Sequence, residues 1–181
     1  MSDRIPRLEM AEFPPALAEA LRPRVERLGY LGEFFKCAAH APDALLAFDV
    51  FTAALKRGLP DRVTEVVALT VATRLGNAYE RHQHERLCRQ LGFDDAWVRA
   101  VERLQPEGIG ADEQAVQRLT LAVLDRQGHG VRAELEAVID ALGPPAAMAV
   151  LLVIGRYVTH SLVVNALELR PPVASIFAAE R

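Results

Sequence analysis

The chain has 181 residues, 51% of them hydrophobic and 25% charged, with a net charge of −3. That length suits one ordinary domain with its own core. The composition excludes a disordered chain, and the slight negative charge offers no electrostatic basis for binding nucleic acid.

The opening MSDRIPRLEM is charged at once, so no secretory signal is read there and a cytoplasmic location is expected. From Pro15 to Leu28, Leu17, Leu21, Val25 and Leu28 recur at helical spacing, and Pro23 is expected to kink or divide that helix. After Gly29 and Gly32, a short helix is read from Glu33 to Ala39. Pro42 then opens one that ends at Gly58. Asp61 reads as the N-cap of a helix made apolar on most sides by Val66, Val67, Leu69, Val71 and Leu75, which places it in the centre of the fold. Gly76-Asn77 ends it. Further helices are read from Tyr79 to Leu91, from Asp94 to Leu104, from Asp112 to Gln127, from Val131 to Leu142 and from Pro145 to Leu169, with QPEGIG at 105–110 as a loop.

The expected fold class is therefore all-α: one domain over 1–170 and a tail over 171–181 that packs on a neighbour or is loose. The most apolar stretch, Ala141 to Gly155, is broken by Gly143, Pro144 and Pro145. It is too short to span a bilayer, so no membrane partner is expected. Cys37 and Cys88 match no metal or redox spacing and read as buried small hydrophobes in a reducing compartment.

The unusual stretch is NAYERHQH, 77–84. On a helix Glu80 and His84 share a face, and a carboxylate one turn from an imidazole fixes its tautomer and raises its basicity, as a general acid/base requires. The plainer alternative is an exposed pair worth a few tenths of a kcal/mol. Glu65 weighs on that choice. It precedes an almost wholly apolar run, so it sits at the helix mouth in water or is buried with a partner. If the two helices fold back at Gly76-Asn77, Glu65 reaches His84. Tyr79 offers a hydroxyl or packs. His82 lies on another face and reads as solvated, and His40 and His129 read as surface residues. Tyr157, His160 and Asn165 lie on the last, apolar helix. There polar side chains ordinarily satisfy one another or a backbone carbonyl, with pocket lining as the second reading. A zinc site from His82, His84 and His160 is disfavoured because residues two apart on a helix do not face each other.

The stretch from Leu59 to Gly92, LPDRVTEVVALTVATRLGNAYERHQHERLCRQLG, resembles the core motif of the carboxymuconolactone decarboxylase and alkylhydroperoxidase D family. Glu65 falls on that family's glutamate and His84 on its histidine. Upstream GYLGEFFKCAAHAPDALLAF and downstream IGRYVTHSLVVNAL extend the resemblance from about Gly29 to Leu169. The two cysteines of the peroxidase branch are replaced by Asn77 and Glu80, which cannot exchange disulfides. Glu80 matches the decarboxylase-like branch instead.

The resemblance implies an alkylhydroperoxidase D-like multi-helix bundle that forms a homo-oligomer, a trimer, hexamer or dimer. It also implies an enzyme without cofactor or metal that moves protons on a small carboxylated or lactone substrate. In that reading His84 is the general acid/base, Glu65 and Glu80 orient it and hold its pKa near neutral, and Asn77, Tyr79, Tyr157 and His160 line the substrate site. Arg74, Arg81 or Arg156 would hold a substrate carboxylate. A peroxidase-like antioxidant protein and a non-catalytic scaffold are the alternatives.

Overall fold

A computed structural model describes residues 5–105 and 107–178. The first four residues of the charged opening, Pro106 in the QPEGIG loop and the last three residues of the tail lie outside the described residues. Among the described residues the regular structure is helical throughout, with no strand. The chain divides into two compact units, 1–54 and 55–181.

The first unit holds a short 3-10 turn, Met10–Glu12, then α1 (Pro15–Leu28), α2 (Glu33–Ala38) and most of α3 (Pro42–Arg57). α1 buries Leu17 and Leu21 and runs unbroken through Pro23, contrary to the division expected there. Arg24, next to that proline, is anchored by Asp49 and lies 4.7 Å over the Phe35 ring, which ties the second half of α1 to α2 and α3. Cys37 is buried, as expected of a small hydrophobe.

The second unit is built around α4 (Asp61–Arg74). Ten consecutive residues of this helix, Val63 to Ala72, are buried. A helix apolar on every side must be enclosed on every side, and α5 (Ala78–Gln90), α7 (Ala111–Arg126) and α9 (Pro144–Ala166) all pack on it, with α6 (Asp95–Glu102) at its edge and α8 (Arg132–Leu142) behind α7 and α9. The expected N-cap shifts by one residue: Pro60 caps α4 and Asp61 is its first residue. One buried amide in this core bridges α7 to two neighbours. Gln117 Nε2 donates to Thr70 Oγ1 at 3.2 Å and to the Val101 carbonyl at 2.9 Å.

α9 is longer than the apolar stretch that marks it. By length and composition alone it could cross a membrane, but half of its apolar stretch is buried within the chain. It also carries the buried Arg156, His160 and Ser161. It is the second core helix of this unit.

The tail differs from its expectation. Residues 173–177 fold back on α5 and α6 of the same chain. Phe177 enters the core with the Arg99 guanidinium 3.9 Å over its ring, and the Ile176 amide donates to Glu85 Oε2 at 2.8 Å. His82, read as solvated, is half-buried here and donates from Nδ1 to the Val173 carbonyl at 3.2 Å.

Candidate active site

The turn between α4 and α5 builds the site. Gly76 takes a φ of +66°, a left-handed conformation that a side chain would strain. It lets Asn77 follow at once as the N-cap of α5. The Asn77 side-chain oxygen accepts the Glu80 amide at 3.1 Å, and its Nδ2 donates to Ser161 Oγ on α9 at 3.0 Å. Asn77, expected at the substrate, thus has both ends of its amide committed to holding α5 against α9. Replacing it with alanine is expected to cost about 1–2 kcal/mol, read as a lower urea midpoint with an unchanged slope.

Held this way, α5 runs back along α4 and sets His84 beside Glu65. His84 Nδ1 lies 2.6 Å from Glu65 Oε2, and His84 Nε2 lies 2.9 Å from Glu80 Oε2. Glu80 also reaches α9, where its Oε1 accepts from His160 Nε2 at 2.8 Å and its Oε2 lies 3.8 Å from an Arg156 nitrogen. All five groups are buried: Glu65, Glu80, His84, Arg156 and His160 are at most 7% exposed. The Glu80–His84 pair is therefore not the exposed helix pair of the plainer reading. The Tyr157 ring stands edge-on to His84 with centroids 5.2 Å apart and lies 4.3 Å under the Arg156 guanidinium. The Tyr79 ring is 5.9 Å from His160. Asn165 satisfies a backbone carbonyl, that of Leu75, at 3.0 Å.

The hydrogen bonds fix the protons. Carboxylates only accept, so a histidine with a carboxylate at each ring nitrogen carries both protons and is an imidazolium. Burial opposes this charge, but Glu65 and then Glu80 outweigh it and push the His84 pKa up to about 9. It is not near neutral, as the sequence suggested, because the attraction of the two buried carboxylates outweighs the cost of burying the charge. His160 faces a single carboxylate. Burial pushes its pKa down despite Glu80, and the neighbouring Arg156 and His84 charges push the same way, so it is neutral with its proton on Nε2. Burial would raise the Glu80 pKa, but His160, His84 and Arg156 together hold it well below the usual carboxylate range. The chain Glu65–His84–Glu80–His160 is a continuous hydrogen-bonded line joining α4, α5 and α9.

Of the three arginines weighed for a substrate carboxylate, only Arg156 is at the site. Arg74 pairs with Asp125 near the surface, and Arg81 faces Glu85 at 3.6 Å. The signal that separates Arg156 is its place one turn before His160 on a helix otherwise almost wholly apolar. Cys88 is buried, its sulfur 3.8 Å from Glu65 Oε2, and burial together with that carboxylate pushes its thiol pKa up. A thiol so held is inert as a nucleophile. Among the described residues no cluster of metal-ligating side chains suited to an ion is found.

Residues 39–121 match the model of the Carboxymuconolactone decarboxylase family, a stretch that includes Glu65, Asn77, Glu80 and His84. Over that stretch the chain is similar to this family. Its fold is shared with an alkylhydroperoxidase AhpD core, a peroxidase-related protein from Ralstonia eutropha, at 19% identity and a TM-score of 0.82 over 93% of this chain and 91% of that one. It is shared also with the debrominase Bmp8, solved with 2,3,4-tribromopyrrole, at 16% identity and a TM-score of 0.81 over 94% and 92%. A protein of unknown function from Agrobacterium tumefaciens aligns at 18% identity and a TM-score of 0.69 over 76% of this chain and 96% of its own. No match is found among curated proteins. The chain has an alkylhydroperoxidase D-like helical fold, and His160 and Arg156 of its site lie outside the matched stretch.

Proposed function

We propose that this chain is an acid–base enzyme of the decarboxylase type acting on a small carboxylated lactone. The observation that carries the reading is His84 held as an imidazolium between Glu65 and Glu80. Loss of CO2 from a carboxylated lactone breaks a carbon–carbon bond, leaves its electron pair on the ring as an enolate, and consumes one proton. A buried, preformed imidazolium stores that proton. Glu80, in contact with both imidazoles, relays it, and Arg156 faces the substrate carboxylate. The thiol-peroxidase reading loses support because Asn77 and Glu80 stand where its cysteines belong and Cys88 is held protonated. The test is loss of ultraviolet absorbance and release of CO2 when carboxylated butenolides are offered to the purified protein. No turnover across such a series would leave the scaffold reading in its place.

The working form is a homo-oligomer. Met148, Leu152 and Leu162 stand 57%, 43% and 62% exposed on α9, a helix whose outer face carries no charge, and large exposed apolar side chains on one face favour self-association. Light scattering is expected to give a multiple of the chain mass at micromolar concentration. Leu152→Glu is expected to shift that mass toward the monomer.

A further inference from the structure

α5 is held in place by polar contacts more than by apolar packing. Of the residues it buries, Glu80, His84 and Glu85 are ionisable, and Tyr79 and Cys88 bring the apolar surface. A helix is fixed in a fold chiefly by burying an apolar face, so the rotation of α5 about its own axis depends on where its polar side chains find partners. One set of partners is the cluster with α4 and α9. A second set lies on another side of the helix and comes from the segment 173–177. His82 Nδ1 donates to the Val173 carbonyl at 3.2 Å, and Glu85 Oε2 accepts the Ile176 amide at 2.8 Å, so these two contacts bracket His84 along the helix. The segment is itself fixed. The Ala178 amide donates to the Ser175 carbonyl at 3.2 Å, the Phe177 amide donates to Ser175 Oγ at 3.1 Å, and the Phe177 ring is buried in the core. It therefore presents the Ile176 N–H as a preset donor.

Glu85 is 1% exposed, and Arg81 stands 3.6 Å from its other oxygen, beyond hydrogen-bond reach. A carboxylate this buried is costly without a donor. Deprived of the Ile176 amide, it is drawn toward water. Successive residues are about 100° apart on one rigid rod, so the turn of α5 that exposes Glu85 also swings His84 away from Glu65. We propose that Glu85 is a positioning residue: by gripping the Ile176 amide it fixes the rotation of α5 and so keeps His84 between Glu65 and Glu80. This rests on the acid–base reading above only in taking His84 as the group to be placed.

The experiment follows the His84 ring by NMR titration of the folded full chain, with no substrate present. The groups that face that ring are Glu65 from α4, Glu80 from α5 itself and the Tyr157 ring from α9. The unaltered protein is expected to titrate there at about 9. Ile176 stands second in the turn closed by Ser175 and Ala178, where the fixed φ of proline fits, so Ile176→Pro removes the donor and keeps the turn. This variant is expected to move the His84 titration down toward 6.5. Ile176→Ala trims the side chain but keeps the amide, and is expected to leave the titration in place. If the proline variant does not fold, Glu85→Ala and Glu85→Gln make the same comparison from the other side. Both lose the charge, but the glutamine still accepts the amide, so the alanine alone is expected to lower the titration. A lower unfolding midpoint with His84 titrating as before would make Glu85 purely structural and overturn the inference. Equal shifts in the two variants at 176, or in the two at 85, would overturn it as well. Lactone turnover, measured separately, judges the enzymatic reading, so the two fail independently.

Discussion

Replacing His84 by glutamine is expected to lower the turnover of a carboxylated lactone by about 10²–10⁴-fold, the range that a positioned general acid contributes. Glutamine fills much the same space and still offers an N–H to one of the two carboxylates, but it holds no transferable proton. The loss belongs in kcat more than in KM, since Arg156, the group proposed to hold the substrate carboxylate, is left in place. The acid must be protonated to act. His84 keeps its proton up to about pH 9, so the rate of the unaltered protein is expected to hold through neutrality and fall as pH rises through that value. A variant with full activity would remove His84 from the chemistry and leave it a structural ion pair.

The second large effect is on stability. Glu80→Ala removes the one carboxylate that His84, His160 and Arg156 share, and leaves two buried cations facing each other near a third polar ring. Breaking a buried pair from one side costs about 3–5 kcal/mol, because Arg156 and His160 lose the carboxylate that faces them while His84 keeps only Glu65. Urea denaturation reads this as a large drop in midpoint. The pH dependence follows from the same groups. The His84 pKa is raised on folding, so its contribution is complete below its ordinary value of 6.5 and is lost as pH rises toward about 9. Glu80 and His160 are both lowered on folding, so their contributions fade as pH falls, that of His160 first, below 6.5, and that of Glu80 below the ordinary carboxylate range. Stability is expected to peak near pH 6.5, and in Glu80→Ala its alkaline decline becomes shallower.

The central place of α4 was legible from its unbroken apolar run, and the approach of Glu65 to His84 followed from a glycine–asparagine turn between two helices of similar length. Helix boundaries came within a few residues for the same reason: glycines and prolines mark the ends. What was not legible was α9. A long apolar helix gives no sign of which neighbour its few polar residues face, so His160 read as a satisfied core histidine and Arg156 as one of three equal arginines. Only the crossing of α9 over α5 shows that both meet Glu80. The pKa of His84 was misread because a spacing pattern names the two carboxylates but not how closely both approach the buried ring. Pro23 does not divide α1, whose second half is held through Arg24, bonded to Asp49. The tail was misread because its anchor, Glu85, looked like one more charge on a polar helix.

That anchor links the segment around Ile176 to the buried cluster. Glu85 follows His84 directly, and its buried carboxylate grips the Ile176 amide while His84 faces the other way into the cluster. Anything that tugs on the C-terminal segment therefore pulls on the helix that carries both Glu80 and His84.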